Sequence, residues 1–414
     1  MKAQRTCFLA ALALASLLVG QGSTDIVAGE GNTAGTRKQP AASRNVVAPA
    51  DRKAGRRAVL KASQLRRIGG WRVDPDVRGG KSMAYSEGGI DFFDGQLWLS
   101  HHAHLDAVGR FKIPETMGTG DDVNAWPLLK ATDYVASEWG VQGGANTMGV
   151  HQLDARTLLV SARSGYATPP TSDPWLQRFD LTSRQWLPPL KPRHAQIQHH
   201  AGGFCRVPQW FADEHFGGRT VGLCAGGYES GQGSSMGPAL TVVDRETLTD
   251  GLCLLSYPWA GPKEKRERRP ADYDPSGLGW ALEPDGDVGY WSVESQHGGG
   301  AWIDTGKCHG LIYFIRQGRG RLEYKLQTEC FSRDRLSRLY IYDPADLAKV
   351  AAGELDPFEP RGTVTDWNEP GVARGATWDG KRLYVFQEGT WKSGIERYPS
   401  IHVFEVVETG NGPK

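Results

Sequence analysis

Two histidines in this chain stand directly before runs of small residues. His200 begins His-Ala-Gly-Gly and His297 begins His-Gly-Gly-Gly. An imidazole can serve as a general base or as a metal ligand near neutral pH. Glycine neighbours leave room for a ligand to approach closely. The matching motifs therefore predict that both histidines belong to one site, provided that the fold brings them together.

Carboxylates and arginines occupy positions comparable with those of the two histidines. Some stand just before the glycine that leads into an apolar run, and others stand just after the next apolar run. Glycoside hydrolysis needs two opposed carboxylates, and Glu87 with Glu388 is the best pair. Eliminative cleavage of an acidic polysaccharide needs a base and positive charge at the sugar carboxylate. The predicted catalytic residues are His200, His297, Glu87 and Glu388, and the predicted substrate-binding residues are His101, His102, Arg163, Tyr228, Arg316 and Arg374.

The reaction itself stays open at this stage. A divalent metal could be held by two or three of His101, His102, His200 and His297. Arginine and histidine outnumber the acids in the set, which favours an acidic polysaccharide as ligand. A polysaccharide lyase and a glycoside hydrolase are both compatible with these residues. The alternative is a non-catalytic recognition or scaffold module at the cell surface, because polar residues line the rim of any solvated channel.

Repeated β-hairpins would position these residues. The clearest copy is 297–318, HGGGAWIDTGKCHGLIYFIRQG, in which small residues lead into a short apolar run, a turn and a second β-prone run. Looser copies contain glycines 89, 149, 203 and 375, and two of them turn at Asp-Gly, a strong hairpin signal. Four-stranded units of about 40–50 residues that recur along a chain are typical of a β-propeller.

The spacing of the copies favours five blades. A further hairpin at 279–293 lies within the longest gap, so six blades is the alternative. The last repeat is one strand short, and Arg67–Val73 is available to close the ring and cover its open edge. The starts of first strands and the ends of second strands then share one face. We therefore expect the predicted site residues to converge on one central funnel.

A short helix is predicted between outer strands. Asp343 is its N-cap, Pro344 its first residue and Gly353 its terminator. The sequence of this stretch, YDPADLAKVAAGELDPFEP, resembles a segment found in exported bacterial β-propeller proteins of unknown function. The resemblance covers mainly residues 297–406. It implies the fold and no activity.

The N-terminal region predicts export. Residues 1–23 combine basic residues, an apolar run and a small-residue exit, as in a secretory signal peptide. Residues 24–63 are basic and lack aromatic side chains, which predicts a flexible linker before a single propeller domain at 64–410. We expect a secreted or periplasmic monomer with no transmembrane span after cleavage. The net charge of +1 gives no indication of a nucleic-acid partner.

Overall fold

The computed structural model describes residues 57–75, 82–84, 86, 88–101, 107–136, 145–164, 176–190, 203–225, 235, 237–257, 291, 295–325 and 329–407. The described chain opens with two strands, β1 (Ala58–Val59) and β2 (Leu65–Val73), joined by a 3-10 turn at Ala62–Gln64. Five sheets, most of them built from consecutive strands, account for nearly all the rest.

The first three blades each contain four antiparallel strands. Blade 1 consists of β3 (Ile90–Phe93), β4 (Gln96–Ser100), β5 (Ala107–Lys112) and β7 (Ala131–Ala136), with the short β6 (Leu128–Leu129) paired to β2 instead. Blade 2 consists of β8 (Ala145–Gln152), β9 (Thr157–Ser164), β10 (Leu176–Asp180) and β11 (Gln185–Trp186). Blade 3 consists of β12 (Phe204–Arg206), β13 (Val221–Ala225), β14 (Ala239–Val243) and β15 (Gly251–Leu255), with helix α1 (Gln209–His215) after β12.

Blades 4 and 5 contain the longest strands. Blade 4 consists of β16 (Gly300–Asp304), β17 (Cys308–Lys325), β18 (Glu329–Tyr342) and β19 (Thr363–Asp366), with helix α2 (Pro344–Ala352) between the last two. Blade 5 consists of β20 (Val372–Trp378), β21 (Arg382–Ser393), β22 (Glu396–Val406) and β2. The predicted helix is confirmed, because the Asp343 carboxylate accepts the Ala345 N–H at 2.9 Å and Gly353 is left-handed at φ 76°.

The blades form a closed ring. Inner strand β3 contacts β8, β8 contacts β12, β12 contacts β16, β16 contacts β20, and β20 returns to β3. The five-bladed propeller is therefore confirmed, and with it the fold that the resemblance implies. The six-bladed alternative is wrong, because blades 3 and 4 are adjacent through a bridge between Phe204 and Gly299. The candidate hairpin at 279–293 lies almost entirely outside the described residues.

The N-terminal strand closes the ring as predicted. Strand β2 runs antiparallel to β22, from Leu65 opposite Val406 to Arg72 opposite Ser400. The Trp71 side chain, 1% exposed, packs in the core between blades 5 and 1, and its indole N–H donates to the Thr116 carbonyl at 2.7 Å. The last blade therefore joins residues from both ends of the domain.

The ring has two distinct faces. On the face that we call the glycine face, the first strand of each blade begins after a glycine and the second strand ends. The opposite face, which we call the turn face, carries the tight turns between these strands. At one such turn, Asp94 and Gly95 have φ values of 46° and 72°, which matches the right-handed twist of the flanking strands. Of the helices in the described ranges, neither is long and apolar enough to cross a membrane.

The predicted boundary at residue 64 needs a correction. Residues 57–63, which the sequence assigns to the linker, pack against blade 4. Strand β1 runs parallel to the start of β17, and the Arg57 guanidinium donates to Asp304 at 2.7 Å. Leu60 is 2% exposed and packs over Gly310. Strand pairing, an ion pair and the buried Leu60 side chain therefore hold a segment whose composition resembles a linker.

Replacing Leu60 with alanine is expected to lower the free energy of unfolding by about 2–5 kcal/mol, the usual cost of a large-to-small change in a core. The neighbouring Val59 is 37% exposed and offers a matched control, because its truncation should change stability by less than about 0.5 kcal/mol. Urea unfolding of both variants measures the difference. Equal midpoints would show that this segment does not contribute to the fold.

Candidate functional site

Glycines from all five blades meet at the axis of the ring. A Cβ at Gly298 would lie 2.3 Å from the Gly88 carbonyl oxygen, and a Cβ at Gly203 would lie 2.2 Å from that of Gly298. A Cβ added at Gly375 would lie 2.2 Å from the Gly88 carbonyl oxygen, and a Cβ added at Gly149 would lie 2.4 Å from the Gly203 Cα. The glycines therefore admit neighbouring backbone rather than a ligand, which changes the reason for the motifs beside His200 and His297.

The glycine face carries a buried polar cluster from two blades. The Gln296 amide oxygen accepts from Arg316 Nη2 at 2.6 Å and from Arg374 Nη1 at 3.1 Å. Arg374 Nη1 also lies 3.5 Å from the Glu388 carboxylate. Both arginines are at least nine-tenths buried. Three predicted site residues, Arg316, Arg374 and Glu388, therefore converge as expected, through an amide that the prediction did not select.

Strand alternation explains how two blades build this cluster. Ile312 and Phe314 face blade 5 within the shared core, so Arg316 faces it too. Across the interface, Leu383 and Val385 face blade 4, and Gln387 follows at the same two-residue period. Gln387 is fully buried. The glycine-face ends of β17 and β21 thus present polar side chains to one another directly beyond the apolar core.

Several amide atoms in this region lack protein partners. Among the described residues, neither amide atom of Gln387 nor Nε2 of Gln296 has a hydrogen-bond partner, although all three are buried. A buried amide without a partner costs about 1–3 kcal/mol. Such groups in a native structure call for an explanation, and a polar ligand is one.

The two described histidines of the predicted site occupy packed positions. His297 is fully buried, lies 4.9 Å from the Tyr313 ring, and accepts the Gly299 N–H through Nδ1 at 3.2 Å. In the neutral ring this contact places the proton on Nε2, so the ring presents a donor there rather than a base. His101 is 1% exposed, with Nε2 against Gly109. These contacts favour a structural role for both rings.

Four of the remaining predicted residues are not placed. Glu87, His102, His200 and Tyr228 lie outside the described residues. Arg163 lies on β9, where its backbone pairs with Asn146 of β8 at the glycine face. In the part of the chain that the structure describes, no group of three or more His, Cys, Asp or Glu side chains could hold a metal ion. The metal hypothesis combines the described His101 and His297 with His102 and His200, which are not described, so it stays a prediction.

The turn face contains a cavity that the sequence reasoning missed. It has a volume of about 510 Å³ and is lined by the first strands of all five blades. Its polar wall includes Asp91 on β3 and His151 on β8, which are 4% and 2% exposed. The signal was present in the sequence, because Asp91 interrupts an apolar strand, Ile90-Asp91-Phe92-Phe93.

The buried carboxylate of Asp91 contacts two side chains and one backbone N–H group. Its Oδ2 lies 3.2 Å from His151 Nδ1 and 3.4 Å from Arg206 Nη2, and it accepts the Gln152 N–H at 2.7 Å. Burial raises the pKa of Asp91, but His151, Arg206 and the Gln152 N–H lower it by more. Burial also lowers the pKa of His151 by more than Asp91 raises it. The arrangement is therefore an aspartate beside a neutral imidazole.

A second buried histidine lies between blades 4 and 5. His402 is fully buried, with Nδ1 3.5 Å from Glu369 Oε2, and Glu369 also accepts from Arg67 at 2.8 Å. Burial lowers the pKa of His402 by more than Glu369 raises it. Like His151, His402 is thus neutral in the folded protein at a pH where the unfolded chain is beginning to protonate.

The melting temperature is expected to fall between pH 7.5 and pH 5.5. A histidine whose native pKa is lowered contributes stability that is complete above its unfolded value of about 6.5 and is lost below it, since the unfolded chain then binds the proton. At pH 5.5 the loss is at most about 1.4 kcal/mol for each of His151 and His402. The lowered pKa values of Asp91 and Glu369 act only at more acidic pH.

Thermal melts of the wild-type protein and of His402→Gln at both pH values test this expectation. The variant should lose part of the pH dependence, since the glutamine amide does not titrate. Melting temperatures that do not change with pH would contradict the assignment of both imidazoles as neutral.

Comparisons with known proteins give no family for this chain. Neither a protein-family model nor a curated protein matches it. Similar solved structures include an α-L-arabinanase from Cellvibrio cellulosa complexed with arabinohexaose, at 12% identity, 78% coverage of this chain, 91% of that chain and a TM-score of 0.39. Another is a glycosyl hydrolase from Bacteroides ovatus, at 8% identity, 84% and 96% coverage and a TM-score of 0.38.

A further similar structure was described with the GH130 family of mannoside phosphorylases, which contains glycoside hydrolases that target β-1,2 mannosidic linkages in Candida mannan. It is 10% identical, with 84% of this chain and 96% of that chain covered and a TM-score of 0.36. At TM-scores below 0.5, none of these similarities bears on what this chain does.

Proposed function

We propose that this chain is an exported propeller that binds an acidic carbohydrate on its glycine face, with a sugar carboxylate held by Arg316 and Arg374. The observation that carries the proposal is the convergence of these two buried guanidinium groups on one Gln296 amide oxygen. A carboxylate is the partner that matches guanidinium geometry, because it accepts two parallel hydrogen bonds.

The amides around the arginines suit the rest of a sugar. Gln387 and the Nε2 group of Gln296 offer buried donors and an acceptor that no described residue uses. Sugar hydroxyl groups donate and accept hydrogen bonds at once, so they can satisfy both kinds of atom. Binding would then remove the cost of leaving these amides without partners. The same groups would gain little from an apolar ligand.

Glu388 gives the proposal a directional test. Its carboxylate lies 3.5 Å from Arg374 Nη1 and is about one-quarter exposed, so it competes for the guanidinium that a ligand carboxylate would use. Glu388→Gln keeps the shape of the side chain and removes the negative charge. It should therefore tighten the binding of an acidic ligand. If Glu388 instead acts in hydrolysis, as the sequence predicts together with Glu87, the same change abolishes turnover.

Isothermal titration with alginate, polygalacturonate and hyaluronan, against the uncharged laminarin, tests the proposal. We expect binding to at least one acidic polymer and a loss of at least about tenfold in Arg374→Gln, since a hydrogen bond to a charged group contributes about 1.5–3 kcal/mol. Arg184→Gln is the matched control, because Arg184 pairs with Asp133 at the outer edge of blade 2. Reducing ends and unsaturated uronates, assayed in the same samples, report hydrolysis and elimination.

Two results would contradict the proposal. One is equal binding of acidic and neutral polymers by the wild-type protein. The other is wild-type affinity for an acidic polymer in Arg374→Gln. Because Arg374 is 3% exposed, a thermal melt of the variant must accompany the titration, and Glu388→Gln provides a second variant that keeps the arginine in place.

A further inference from the structure

The cavity at the turn face has the construction of a binding site. Each blade contributes a residue from its first strand or just beyond it, among them Asp91, His151, Phe204, Trp302 and Thr377. Its volume of about 510 Å³ falls within the range of small-molecule sites, about 300–1,000 Å³. A site shared by five rigid strands holds its groups in a fixed geometry.

This cavity is separate from the cluster on the glycine face. Backbone of the glycines that meet at the axis fills the centre of the ring. The cavity begins one or two residues further along the first strands, where it is lined by Ile90, Phe204, Gly300 and Ala376. The arginines of the other site, Arg316 and Arg374, are not part of the lining. A ligand in the cavity would therefore reach it from the turn face.

The polar wall contains a hydrogen-bond acceptor, the Nε2 atom of His151, whose protonation state is fixed by its neighbours. Because Asp91 Oδ2 faces His151 Nδ1 at 3.2 Å, the proton of the neutral imidazole is held on Nδ1. The ring stacks on Phe204, at 5.7 Å between ring centroids, which fixes its plane. Nε2 is then the nitrogen that can accept a hydrogen bond from a ligand hydroxyl. Arg206, whose side chain is 41% exposed, is the adjacent donor.

Two carboxylates around the cavity already accept hydrogen bonds from the protein. Asp304 accepts from Arg57 at 2.7 Å and from the Trp210 indole N–H at 2.8 Å. Asp379 accepts from the Tyr384 hydroxyl at 2.8 Å and from the N–H groups of its own turn at 2.6 and 2.7 Å. A charged ligand would have to displace these contacts. These contacts favour an uncharged ligand.

Aromatic rings supply the rest of the surface. Phe92, Phe93, Trp210 and Trp378 line the cavity and are each only partly buried. Rings of this kind give an apolar face against which the C–H face of a sugar can pack, while polar groups at the edge fix its orientation. An acyclic polyol has the same hydroxyl groups but no comparable flat face.

We propose that the turn-face cavity is a second binding site, which takes a single uncharged pyranose residue. A sugar hydroxyl donates to His151 Nε2, another accepts from Arg206, and the ring packs on the aromatic lining. The acidic carbohydrate proposed for the glycine face would not compete, because that site depends on guanidinium groups, whereas Asp304 and Asp379 at this one already accept hydrogen bonds from the protein. The chain would hold two chemically different sugars at opposite ends of one axis.

Saturation-transfer NMR and titration calorimetry on the full chain test this proposal. The probes are the methyl β-D-pyranosides of glucose, galactose, mannose and xylose, with sorbitol and sodium glucuronate as comparisons. We expect at least one pyranoside to bind, sorbitol and glucuronate to bind at least tenfold more weakly, and His151→Asn to weaken the pyranoside at least tenfold. The asparagine amide can still donate to Asp91 from near the Nδ1 position but has no group at Nε2.

Matched variants separate the outcomes. Arg184→Gln should leave pyranoside binding unchanged, and Arg206→Gln should weaken it, which covers the case that His151→Asn does not fold. Arg374→Gln should bind the pyranoside like the wild type, even if this variant no longer binds acidic polymers. Failure of the glycine-face proposal can therefore be distinguished from failure of this one. The inference is overturned if no pyranoside binds, if glucuronate binds as well as the pyranoside, or if folded His151→Asn and Arg206→Gln retain wild-type affinity.

Discussion

A chain that begins at Asp74 is expected to lose cooperative unfolding, because it lacks the strand that closes the ring. Without β2, β22 becomes an open edge with unpaired backbone groups. The buried side chains of Trp71 and Val73 are lost from the core between blades 5 and 1. The loss of Trp71 alone would cost about 3–5 kcal/mol, against a total stability of about 5–15 kcal/mol for a typical domain.

The control is a chain that begins at Arg57, which keeps β1, Leu60 and the whole of β2. Its unfolding transition in calorimetry should match that of the chain cleaved after residue 23, if residues 24–56 make the linker that their composition predicts. A cooperative transition in the chain that begins at Asp74 would show that four blades and an incomplete fifth are sufficient for the fold.

This closure could be predicted from the sequence because three independent patterns agree. The hairpins repeat, the last repeat lacks one strand, and Arg67–Val73 is a β-prone strand with no hairpin partner of its own. The packing of residues 57–63 could not be predicted in the same way. Leu60 is a single apolar residue in a basic segment without aromatic side chains, and only the space above Gly310 makes it part of the core.

The candidate site was predicted in part for a comparable reason. Antiparallel geometry places strand ends on one face, so the convergence of Arg316, Arg374 and Glu388 follows from the repeat. Which atoms they contact depends on strand alternation across two blades, and this is why Gln296 and Gln387 were not selected. The aspartate of the turn-face cavity is not among the predicted residues, because those flank the strands and Asp91 lies within one.

The glycines show most clearly what a sequence leaves open. A glycine before a strand is compatible with a ligand that approaches the backbone and equally with a second segment of backbone. The distances between Gly88, Gly298 and Gly375 favour the second explanation, because each carbonyl or Cα occupies the space that a neighbour's Cβ would need. The motif beside His297 is then a requirement of the ring, and the site chemistry lies with the arginines and amides around it.

Gly298→Ala is accordingly expected to be among the most damaging single substitutions in this chain. The new Cβ would lie 2.3 Å from the Gly88 carbonyl oxygen and 2.4 Å from its carbon, and backbone held by a neighbouring blade cannot move as a side chain does. Overpacking usually costs about 1–3 kcal/mol, and contact with backbone at the axis should place this case at or above the upper limit. The Gly298 N–H, which donates to the Arg374 carbonyl at 2.7 Å, would be disturbed as well.

Gly120→Ala is the matched control, because a Cβ added at Gly120 would meet no atom within 4 Å and the backbone there does not require glycine. That change should be neutral or stabilise the protein by up to about 1 kcal/mol, since alanine reduces the freedom of the unfolded chain. Urea unfolding of the two variants beside the wild-type protein gives both values. A Gly298→Ala midpoint equal to that of Gly120→Ala would mean that the blades can separate at the axis, and the glycine positions would again be open to a ligand.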